Sequence, residues 1–232
     1  MKPPPRHWDL HLEHEGCFLF CKFFVPRAAD GLGVVFSHGW GGSHKFRDLQ
    51  EYLAERGAHV LSLEHRGYGR STGAPKLAAW PRDMSFLAGW LRERGLRVWM
   101  MGLSTGGTMT VTATARDPLI AGGIALASFA SLEDVYRDRP DSRGILRDRF
   151  GELDDADTAA ANAKVNVTAI APRPIYLVHC KGDAAIPYQH ARRIAANAAG
   201  PCETPLLEGG THFFEGIDRQ ALFEQFLRWM AG

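Results

Sequence analysis

Short apolar segments alternate with helical patterns along most of this chain, and this alternation restricts its fold more than any other feature. The apolar runs occupy positions 33–37, 58–63, 97–101, 123–127, 174–179 and, more weakly, 203–207. Runs of this length without polar alternation are typical of strands buried on both faces of a parallel sheet. Between them, apolar residues recur at helical spacing, as at Trp80, Met84 and Leu87. The pattern predicts an α/β fold with a mostly parallel central sheet, and right-handed crossovers then place helices on both faces.

The N-terminal segment follows a different pattern. Residues 9–14 alternate between polar and apolar side chains, and after a two-residue turn residues 17–25 are apolar and rich in aromatic rings. We predict an antiparallel hairpin here. The three histidines of this segment, His7, His11 and His14, are spaced like metal ligands on a helix. In a strand, however, His11 and His14 point to opposite faces, so we expect no metal site.

The interval between the runs 123–127 and 174–179 is far longer than an ordinary connection in an α/β fold. It is charged and rich in aspartate, with scattered apolar side chains, which predicts a small helical insertion at about 132–171 within a single domain of 232 residues. Two interpretations stay open: the insertion covers a site, or it is peripheral and has no role in binding. Its basic part, 137–149, is either a solvated surface or a rim that attracts acidic substrates.

The charge balance bears on the class of partner. With 27 Lys and Arg against 26 Asp and Glu the formal net charge is +1, which gives no reason to expect nucleic acid or an anionic membrane as partner. The chain starts without an apolar h-region, and no segment approaches the roughly 18 to 20 apolar residues that span a bilayer. We therefore expect a soluble, cytoplasmic protein. Cys17 and Cys21 would lie too far apart on one strand to form a disulfide, and the cysteine spacing fits no zinc site. We expect Cys17, Cys21, Cys180 and Cys202 to be reduced thiols.

The sharpest functional signal is Gly-Leu-Ser-Thr-Gly at positions 102–106, directly after an apolar run and before a predicted helix at about 105–116. A serine between two glycines at a strand-to-helix turn is typical of a nucleophile elbow, in which a strained turn lifts the hydroxyl above the strand ends. Side chains at the two glycine positions would collide with neighbouring backbone. We predict that Ser104 is the nucleophile, and the alternative is a serine that only caps the helix. Ser71 and Ser128 lack such glycines.

A second glycine-rich segment, Ser-His-Gly-Trp-Gly-Gly-Ser at positions 37–43, follows the first predicted parallel strand. Acyl transfer develops negative charge on an oxygen, and backbone N–H groups aimed at that oxygen stabilise it. We predict that these oxyanion donors are the N–H groups of Trp40 and Thr105. The side chains of Trp40 and His38 are expected to border the substrate, with His38 holding the loop rather than acting as base. The alternative for this segment is a flexible turn before a helix capped by Ser43.

A serine hydroxyl needs a base, and the base needs an acid that orients it. In the arrangement that follows an elbow of this kind, the order along the chain is serine, acid, histidine. Asp183 lies in the loop after the run 174–179, and His212 lies in the loop before the last predicted helix. Because the carboxyl ends of parallel strands share one edge of the sheet, we expect both residues to meet Ser104 there. Phe213, next to the base, is also expected to contact the substrate.

Alternatives stay open for the acid and the base. His179 and His190 are the other downstream histidines, and Glu133 or Asp134 is the reserve acid. Asp183 itself has an alternative role, as the cap of the helix that begins near position 187.

Together these motifs resemble the α/β-hydrolase superfamily over nearly the whole chain, from about residue 9 to residue 230. The matching segments are positions 38–42, 66–71, 102–106, 182–183 with 186–187, and 210–212. The sequence looks most similar to small bacterial esterases with a short cap, including feruloyl-esterase-like and dipeptidyl-peptidase-like hydrolases. The resemblance implies no metal, no organic cofactor, and an acyl-enzyme route in which Ser104 attacks and His212 moves the proton.

Two positions depart from the family pattern. Cys180 stands where many relatives have glycine in an H-G-x-x-D pattern, and it has no elbow that would make it a nucleophile. Glu64-His65 precedes Arg66-Gly67, where aspartate is common in the family. Neither change touches the predicted chemistry.

Three functions are compatible with these residues. The first is a carboxylic ester hydrolase that acts on a small-molecule ester, because all catalytic parts are present and the insertion is short. The second is a peptidase or amidase of the same fold. The third is a ligand-binding protein that kept the fold and lost the reaction, and its signature would be a missing triad member. The sequence leaves the oligomeric state open.

Overall fold

The centre of the fold is one nine-stranded sheet. A computed structural model of the chain describes residues 5–42 and 46–231, so Ser43, the alternative helix cap, lies outside the described residues. The strands are β1 (Arg6–His14), β2 (Cys17–Val25), β3 (Leu32–Ser37), β4 (His59–Leu63), β5 (Arg97–Leu103), β6 (Gly122–Leu126), β7 (Ile175–Cys180), β8 (Cys202–Glu203) and β9 (Leu206–Leu207). Their order across the sheet is β1-β2-β4-β3-β5-β6-β7-β8, and β9 also pairs with β7.

The N-terminal hairpin joins the sheet through antiparallel pairs, and only β2 runs opposite to the other strands. β1 pairs antiparallel with β2, and β2 pairs antiparallel with β4, whereas the pairs from β3 onward are parallel. The hairpin turn consists of Glu15 and Gly16, whose φ angles are 47° and 70°. Positive φ at both positions is what a two-residue hairpin turn of the right twist requires. The predicted N-terminal hairpin and mostly parallel sheet are therefore confirmed, although β1 already starts at Arg6.

Helices cover both faces of the sheet, as predicted. They are α1 (Arg47–Glu55), α2 (Trp80–Arg92), α3 (Thr105–Arg116), α4 (Leu132–Asp138), α5 (Ser142–Phe150), α6 (Asp155–Ala160), α7 (Ala163–Asn166), α8 (Gln189–Ala195) and α9 (Arg219–Ala231). In β5, Val98 and Met100 enter a core shared with α2 and α3, whereas Trp99 and Met101 enter the core shared with α1 and α9. This burial on both faces explains why the strands lack polar alternation. Among the described residues, no helix has the length and apolar character needed to cross a membrane.

The last apolar run does not form one strand. The structure divides the run 203–207 into β8 and β9, with Thr204 and Pro205 between them. β8 pairs with the beginning of β7, and β9 pairs with its end. Proline has no N–H to donate to the ladder, which accounts for the break. The loop that carries His212 starts from β9, at the carboxyl end of β7.

The insertion between β6 and β7 consists of the short helices α4 to α7, and it is attached to the loop after β4 and to the segment before α2. The guanidinium of Arg149 stacks over the ring of Tyr68, 3.5 Å from its centroid, and donates a hydrogen bond to the carbonyl oxygen of Gly67 (2.7 Å). The carboxylate of Asp157 accepts the N–H of Ala78 (2.8 Å). That the insertion covers the catalytic site stays a prediction.

Candidate active site

Ser104 lies at a strained turn between β5 and α3. Its backbone has φ 57° and ψ −121°, and conformations of this kind cost a non-glycine residue about 1–3 kcal/mol. A Cβ atom at Gly102 would lie 2.3 Å from the carbonyl oxygen of Gly106, and one at Gly106 would lie 2.4 Å from those of Ser37 and His38. The two flanking glycines are therefore a steric requirement of the turn. Such strain persists where the surrounding structure fixes it, and this is typical of functional sites.

Two backbone hydrogen bonds hold the turn. The N–H of Ser104 donates to the carbonyl oxygen of Leu126 at the end of β6 (2.8 Å), and its own carbonyl accepts the N–H of Thr108 (3.0 Å). The first N–H groups of α3, starting with Thr105, have no partner within the helix and favour negative charge nearby. Ser104 itself is buried. The segment has the strand-to-helix geometry of a nucleophile elbow, and the catalytic role of Ser104 stays a prediction.

Asp183 and His212 come from two neighbouring loops and form a hydrogen-bonded pair. The distance between Oδ2 of Asp183 and Nδ1 of His212 is 2.7 Å. The two loops approach backbone to backbone. The N–H of Gly182 donates to the carbonyl oxygen of Gly209 (3.0 Å), and a Cβ atom at Gly182 would lie 2.5 Å from that of Gly210. Because a carboxylate only accepts, Nδ1 of His212 carries the proton, and Nε2 is the nitrogen left to act as base.

The carboxylate of Asp183 is buried and well supplied with hydrogen bonds. Oδ1 accepts the N–H groups of Ala185 and Ile186, each at 2.8 Å, and Oδ2 lies 3.2 Å from Nε2 of His179. Burial alone would raise the pKa of Asp183, but the hydrogen bonds from His179 and His212 outweigh burial and hold this pKa well below its usual range. Asp183 is therefore ionised near neutral pH and orients the imidazole as a charged partner.

His179 has a role that the sequence analysis did not identify. It is fully buried at the end of β7, and its Nε2 donates to the carbonyl oxygen of Ile186 (2.8 Å) beside Oδ2 of Asp183. The structure thus places His179 against the acid and not in the position of the base. The spacing of four residues between His179 and Asp183 was the available signal. This spacing predicts a contact between the two side chains only when the loop is known to turn back on the strand end.

Ser104 and His212 line the same small cavity, which has a volume of about 70 Å³. The other described residues that line it are Gly39, Trp40, Gly41, Gly42, Leu103 and Phe213. No hydrogen bond joins Oγ of Ser104 to His212 within the described part of the chain. Catalytic hydrogen bonds are often long in a free enzyme and shorten when substrate binds. Ser104 and His212 share this cavity, and His212 is hydrogen bonded to Asp183. The three predicted catalytic residues therefore lie together at one edge of the sheet.

The loop after β3 approaches the nucleophile closely. A Cβ atom at Gly39 would lie 3.0 Å from Cβ of Ser104, so a side chain there would push the loop away. The N–H of Gly42 donates to the carbonyl oxygen of Gly39 (3.2 Å), which closes a turn with Trp40 at its second position. The N–H of the second residue takes no part in the hydrogen bond that defines a turn. This geometry is compatible with Trp40 as an oxyanion donor, and that role, like that of Thr105, stays a prediction.

His38 lies beneath this loop and does not line the cavity. It is 1% exposed. Its Nδ1 donates to the carbonyl oxygen of Gly39, and its Nε2 accepts the N–H of His65 (3.2 Å). Its ring lies edge-on to Tyr68 and Trp80, with 4.7 and 5.5 Å between ring centroids. This geometry agrees with the expectation that His38 holds the loop, and its contact with the substrate stays a prediction.

His65 completes the support under the loop, and the sequence analysis assigned it no role. Its ring stacks on Trp80, with 3.6 Å between centroids and 4° between planes, and its Nε2 lies 2.7 Å from Oγ of Ser37. Burial, and then the neighbouring His38, hold the pKa of His65 well below its usual range, so the ring is neutral near neutral pH. The departure from the family pattern at positions 64–65 was the only sequence signal, and it does not reveal the stacking partner.

The reserve acids and the remaining downstream histidine lie in other networks. Asp134 pairs with Lys164 (2.8 Å), and the side chain of Glu133 is largely exposed. His190 is buried and accepts the N–H of Ala130 (3.1 Å). Within residues 5–42 and 46–231, none of the three is hydrogen bonded to the predicted triad.

None of the competing nucleophiles is among the described residues that line the cavity of Ser104 and His212. Oγ of Ser71 is hydrogen bonded to backbone groups of β2 and of the loop after β4, and Ser128 is buried against Gly107. Cys180 is buried, and this burial, followed by the charge of Asp183, raises the pKa of its thiol to about 11. A thiol with this pKa is protonated near neutral pH and is a poor nucleophile.

The described residues contain no group of three or more His, Cys, Asp or Glu side chains arranged to hold a metal ion. In the hairpin, His7 and His11 contact aromatic rings of β2, and His14 stacks on Phe86 of α2. The three histidines therefore do not converge.

Comparison with known proteins gives a family match and several distant relatives. The model of the family described as "Serine aminopeptidase, S33" matches residues 32–147. The chain is 25% identical over 193 residues to the uncharacterized protein YfhR of Escherichia coli (strain K12), covering 80% of this chain and 64% of that protein. It is 26% identical over 189 residues to the lysophosphatidylserine lipase ABHD12 of Danio rerio, covering 72% of this chain and 47% of that protein. The chain thus spans less than two thirds of the length of these curated relatives.

One solved structure of similar size resembles the chain over its whole length. Est1E from Butyrivibrio proteoclasticus, determined with ferulic acid bound, has a TM-score of 0.76 at 19% sequence identity, and the match covers 96% of this chain and 100% of that one. At this identity the likeness concerns the fold alone.

Proposed function

Because the chain belongs to the serine aminopeptidase family of α/β hydrolases, we propose that it hydrolyses carboxylic esters through an acyl-enzyme intermediate. Membership of this family confirms the α/β-hydrolase fold predicted from the sequence and supports a hydrolase activity, and the ester substrate is our proposal. The observation that carries the proposal is the pair of Asp183 and His212, 2.7 Å apart, in loops that border a cavity shared with Ser104. A charged acid, an oriented imidazole and a hydroxyl on a strained turn are the parts of a serine nucleophile system.

In the first half of the proposed reaction, Oγ of Ser104 attacks the carbonyl carbon of the ester while Nε2 of His212 takes the hydroxyl proton. The new C–O bond forms, and an electron pair moves onto the carbonyl oxygen. The N–H groups of Trp40 and Thr105 stabilise this oxyanion, and one such donor contributes about 3–4 kcal/mol. When the tetrahedral intermediate collapses, the bond to the alcohol oxygen breaks, and the alcohol leaves with the proton from His212.

In the second half, water attacks the acyl carbon and His212 takes one of its protons. The bond between the acyl carbon and Oγ of Ser104 breaks, the serine regains the proton, and the carboxylic acid leaves. Asp183 stays ionised throughout and stabilises the imidazolium that forms in each half. The low pKa of Asp183 supports this role, because a protonated acid would give no such stabilisation.

A peptidase or amidase activity is the second candidate, and the description of the matching family favours it. The lipase relative from Danio rerio favours an ester instead. The same residues serve both reactions, but an amine has to be protonated as it leaves, whereas an activated alcohol leaves readily. Hydrolysis rates for the amide and the ester of one acyl group separate the two candidates, and faster amide turnover would rank the peptidase first.

The test of the proposed function uses p-nitrophenyl acetate and a fluorophosphonate probe on wild type and Ser104→Ala. We expect kcat of the variant to fall by about 10⁴-fold to 10⁶-fold, and the probe to label the wild type at Ser104 by peptide mass spectrometry. Ser85→Ala, at a half-buried position on α2, is the matched control and keeps wild-type turnover. Undiminished turnover in Ser104→Ala would refute the nucleophile. A folded wild type that neither turns over esters nor reacts with the probe would support the non-catalytic alternative.

A further inference from the structure

The cavity beside Ser104 is small for a site that has to hold an acyl group. Its volume is about 70 Å³, whereas the sites of drug-sized ligands are typically about 300–1,000 Å³. One water-sized group needs about 10–15 Å³ of such volume, so the cavity has room for roughly five to seven non-hydrogen atoms. Two larger cavities, of about 490 and 470 Å³, lie elsewhere, and none of the three predicted catalytic residues is among the described residues that line them.

Two aromatic side chains enclose the small cavity. Trp40 and Phe213 are both half-buried and both line it. Trp40 packs against the core on the α2 side of the sheet, and Phe213 packs against the core on the α1 and α9 side. Phe213 also lies edge-on to His212, with 5.2 Å between ring centroids. Each ring is backed by a different core, and on that side close-packed side chains restrict its movement.

The lining of the cavity is apolar apart from the catalytic groups. Besides Ser104 and His212, the described lining residues are glycines, Leu103 and the two aromatic side chains. No Asp, Glu, Lys or Arg side chain is among the described residues that line it. An ionised acyl group would lose its hydration there and find no countercharge among the described lining residues. The cavity therefore suits an uncharged acyl chain.

We propose that Trp40 and Phe213 restrict the acyl part of the substrate to short, uncharged chains, with acetyl, propionyl and butyryl as the accepted class. This inference rests on the proposed function and specifies its substrate class. Chains longer than butyryl meet the two rings, and kcat/KM then falls by about tenfold or more, the usual scale for a pocket that lacks the space. A feruloyl group, with its aromatic ring, exceeds the available space as well.

The test compares kcat/KM for p-nitrophenyl acetate, butyrate, hexanoate and octanoate, and for methyl ferulate, in wild type, Trp40→Ala and Phe213→Ala. Trp8→Ala and Phe18→Ala are the matched controls, since they remove rings that are 56% and 49% exposed on β1 and β2. In wild type we expect kcat/KM to fall by more than about tenfold from butyrate to octanoate. The ratio of octanoate to acetate rises by about tenfold or more in the two cavity variants. The controls keep the wild-type ratio.

The ratio of kcat/KM for octanoate to acetate is the readout because the loop that carries Trp40 also affects the absolute rate.

A second measurement does not require turnover. The p-nitrophenyl esters of an ethylphosphonate and an octylphosphonate transfer the phosphonyl group to Oγ of Ser104 with loss of p-nitrophenol. Mass spectrometry of the intact protein measures the rate of this transfer. We expect the octyl reagent to react more slowly in wild type, and the difference to shrink in both variants. Trp40→Leu replaces Trp40→Ala if the latter does not fold.

The outcomes separate this inference from the proposed function. A wild type that hydrolyses octanoate as well as acetate overturns the inference and leaves the esterase standing. Folded variants with the wild-type ratio overturn it too, because the rings would then not set the limit. A wild type that hydrolyses no ester and does not react at Ser104 overturns the proposed function and, with it, the inference.

Discussion

The two halves of the proposed site are held by different interactions. We call residues 39–42 the oxyanion half, and Asp183 with His212 the acid–base half. The oxyanion half rests on buried rings, of which His65 stacked on Trp80 is the centre. The acid–base half rests on hydrogen bonds to one buried carboxylate. One half is therefore maintained by packing and the other by polar contacts.

The difference follows from what each half has to provide. An oxyanion loop has to place a backbone N–H, which needs a fixed position and no charge, and close-packed rings supply it. A buried acid has to stay ionised, which needs donors that offset its desolvation. We conclude that substitutions beneath the oxyanion half act mainly on stability. Substitutions around Asp183 act mainly on the rate.

The largest expected effect tests the acid–base half. Asp183→Asn removes the charge while keeping a side chain of the same size that can accept the N–H groups of Ala185 and Ile186. We expect kcat for p-nitrophenyl acetate to fall by about 10⁴-fold, because the imidazole loses both its tautomer and its countercharge. Asp148→Asn, at an exposed position on α5, is the control and keeps its activity. If Asp183→Asn retains wild-type kcat, the acid has to be sought elsewhere.

The next largest effect tests the oxyanion half. Trp80 is fully buried, and Trp80→Ala should lower the free energy of unfolding by about 3–5 kcal/mol through the cavity that it leaves. Urea denaturation followed by circular dichroism measures this loss. Trp8→Ala, which removes an exposed ring, should change stability by less than about 0.5 kcal/mol. A loss for Trp80→Ala as small as that of the control would contradict the idea that packing holds the oxyanion half.

A smaller effect tests whether His179 contributes to the acid–base half. His179→Leu removes one donor from the carboxylate of Asp183, and a hydrogen bond to a charged group contributes about 1.5–3 kcal/mol. We expect kcat to fall by about 10-fold to 100-fold with KM unchanged. His179→Gln, whose side-chain N–H can reach the same oxygen, should recover part of the rate, and an equal loss in both variants would indicate a purely structural role.

The same variant has a pH signature whose sign follows from the lost donor. The pKa of Asp183 is depressed in the folded protein, so Asp183 is charged above that pKa and loses its charge as the pH falls through it. Without the hydrogen bond from His179, the pKa of Asp183 rises towards its ordinary value. The activity of His179→Leu relative to wild type should therefore decrease further between about pH 7 and pH 4. A pH-independent ratio would count against this coupling.

The smallest expected effect concerns Cys180, which we expect to take no part in the acid–base half. Cys180 lies beside Asp183 in the chain, but the pKa of its buried thiol is raised to about 11. At about pH 8 roughly one thiol in a thousand is ionised, so iodoacetamide should leave Cys180 unlabelled in the folded protein. Cys180→Ala should keep kcat within about threefold. Rapid alkylation of Cys180 with loss of activity would show that this thiol is exposed to the site.

The sequence by itself determined the parts of this protein that depend on local physics. Uninterrupted apolar runs predicted strands buried on both faces, and helical spacing between them predicted the layers. The glycines at 102 and 106 predicted the elbow, because no other residue fits that turn. The order of Ser104, Asp183 and His212, each after a different strand, predicted that they meet at one edge, and the structure brings them there.

Only the tertiary structure decided what lies beneath and around these residues. β4 is inserted between β2 and β3 in the sheet, and contacts such as His65 on Trp80 or His179 on Asp183 depend on such neighbours and on how loops turn back. Periodicity and motif spacing carry no information on distances across strands. For the same reason the sequence did not reveal that the ring of His38 is buried under the loop. The volume that Trp40 and Phe213 leave beside Ser104 is likewise set by two cores on opposite faces of the sheet.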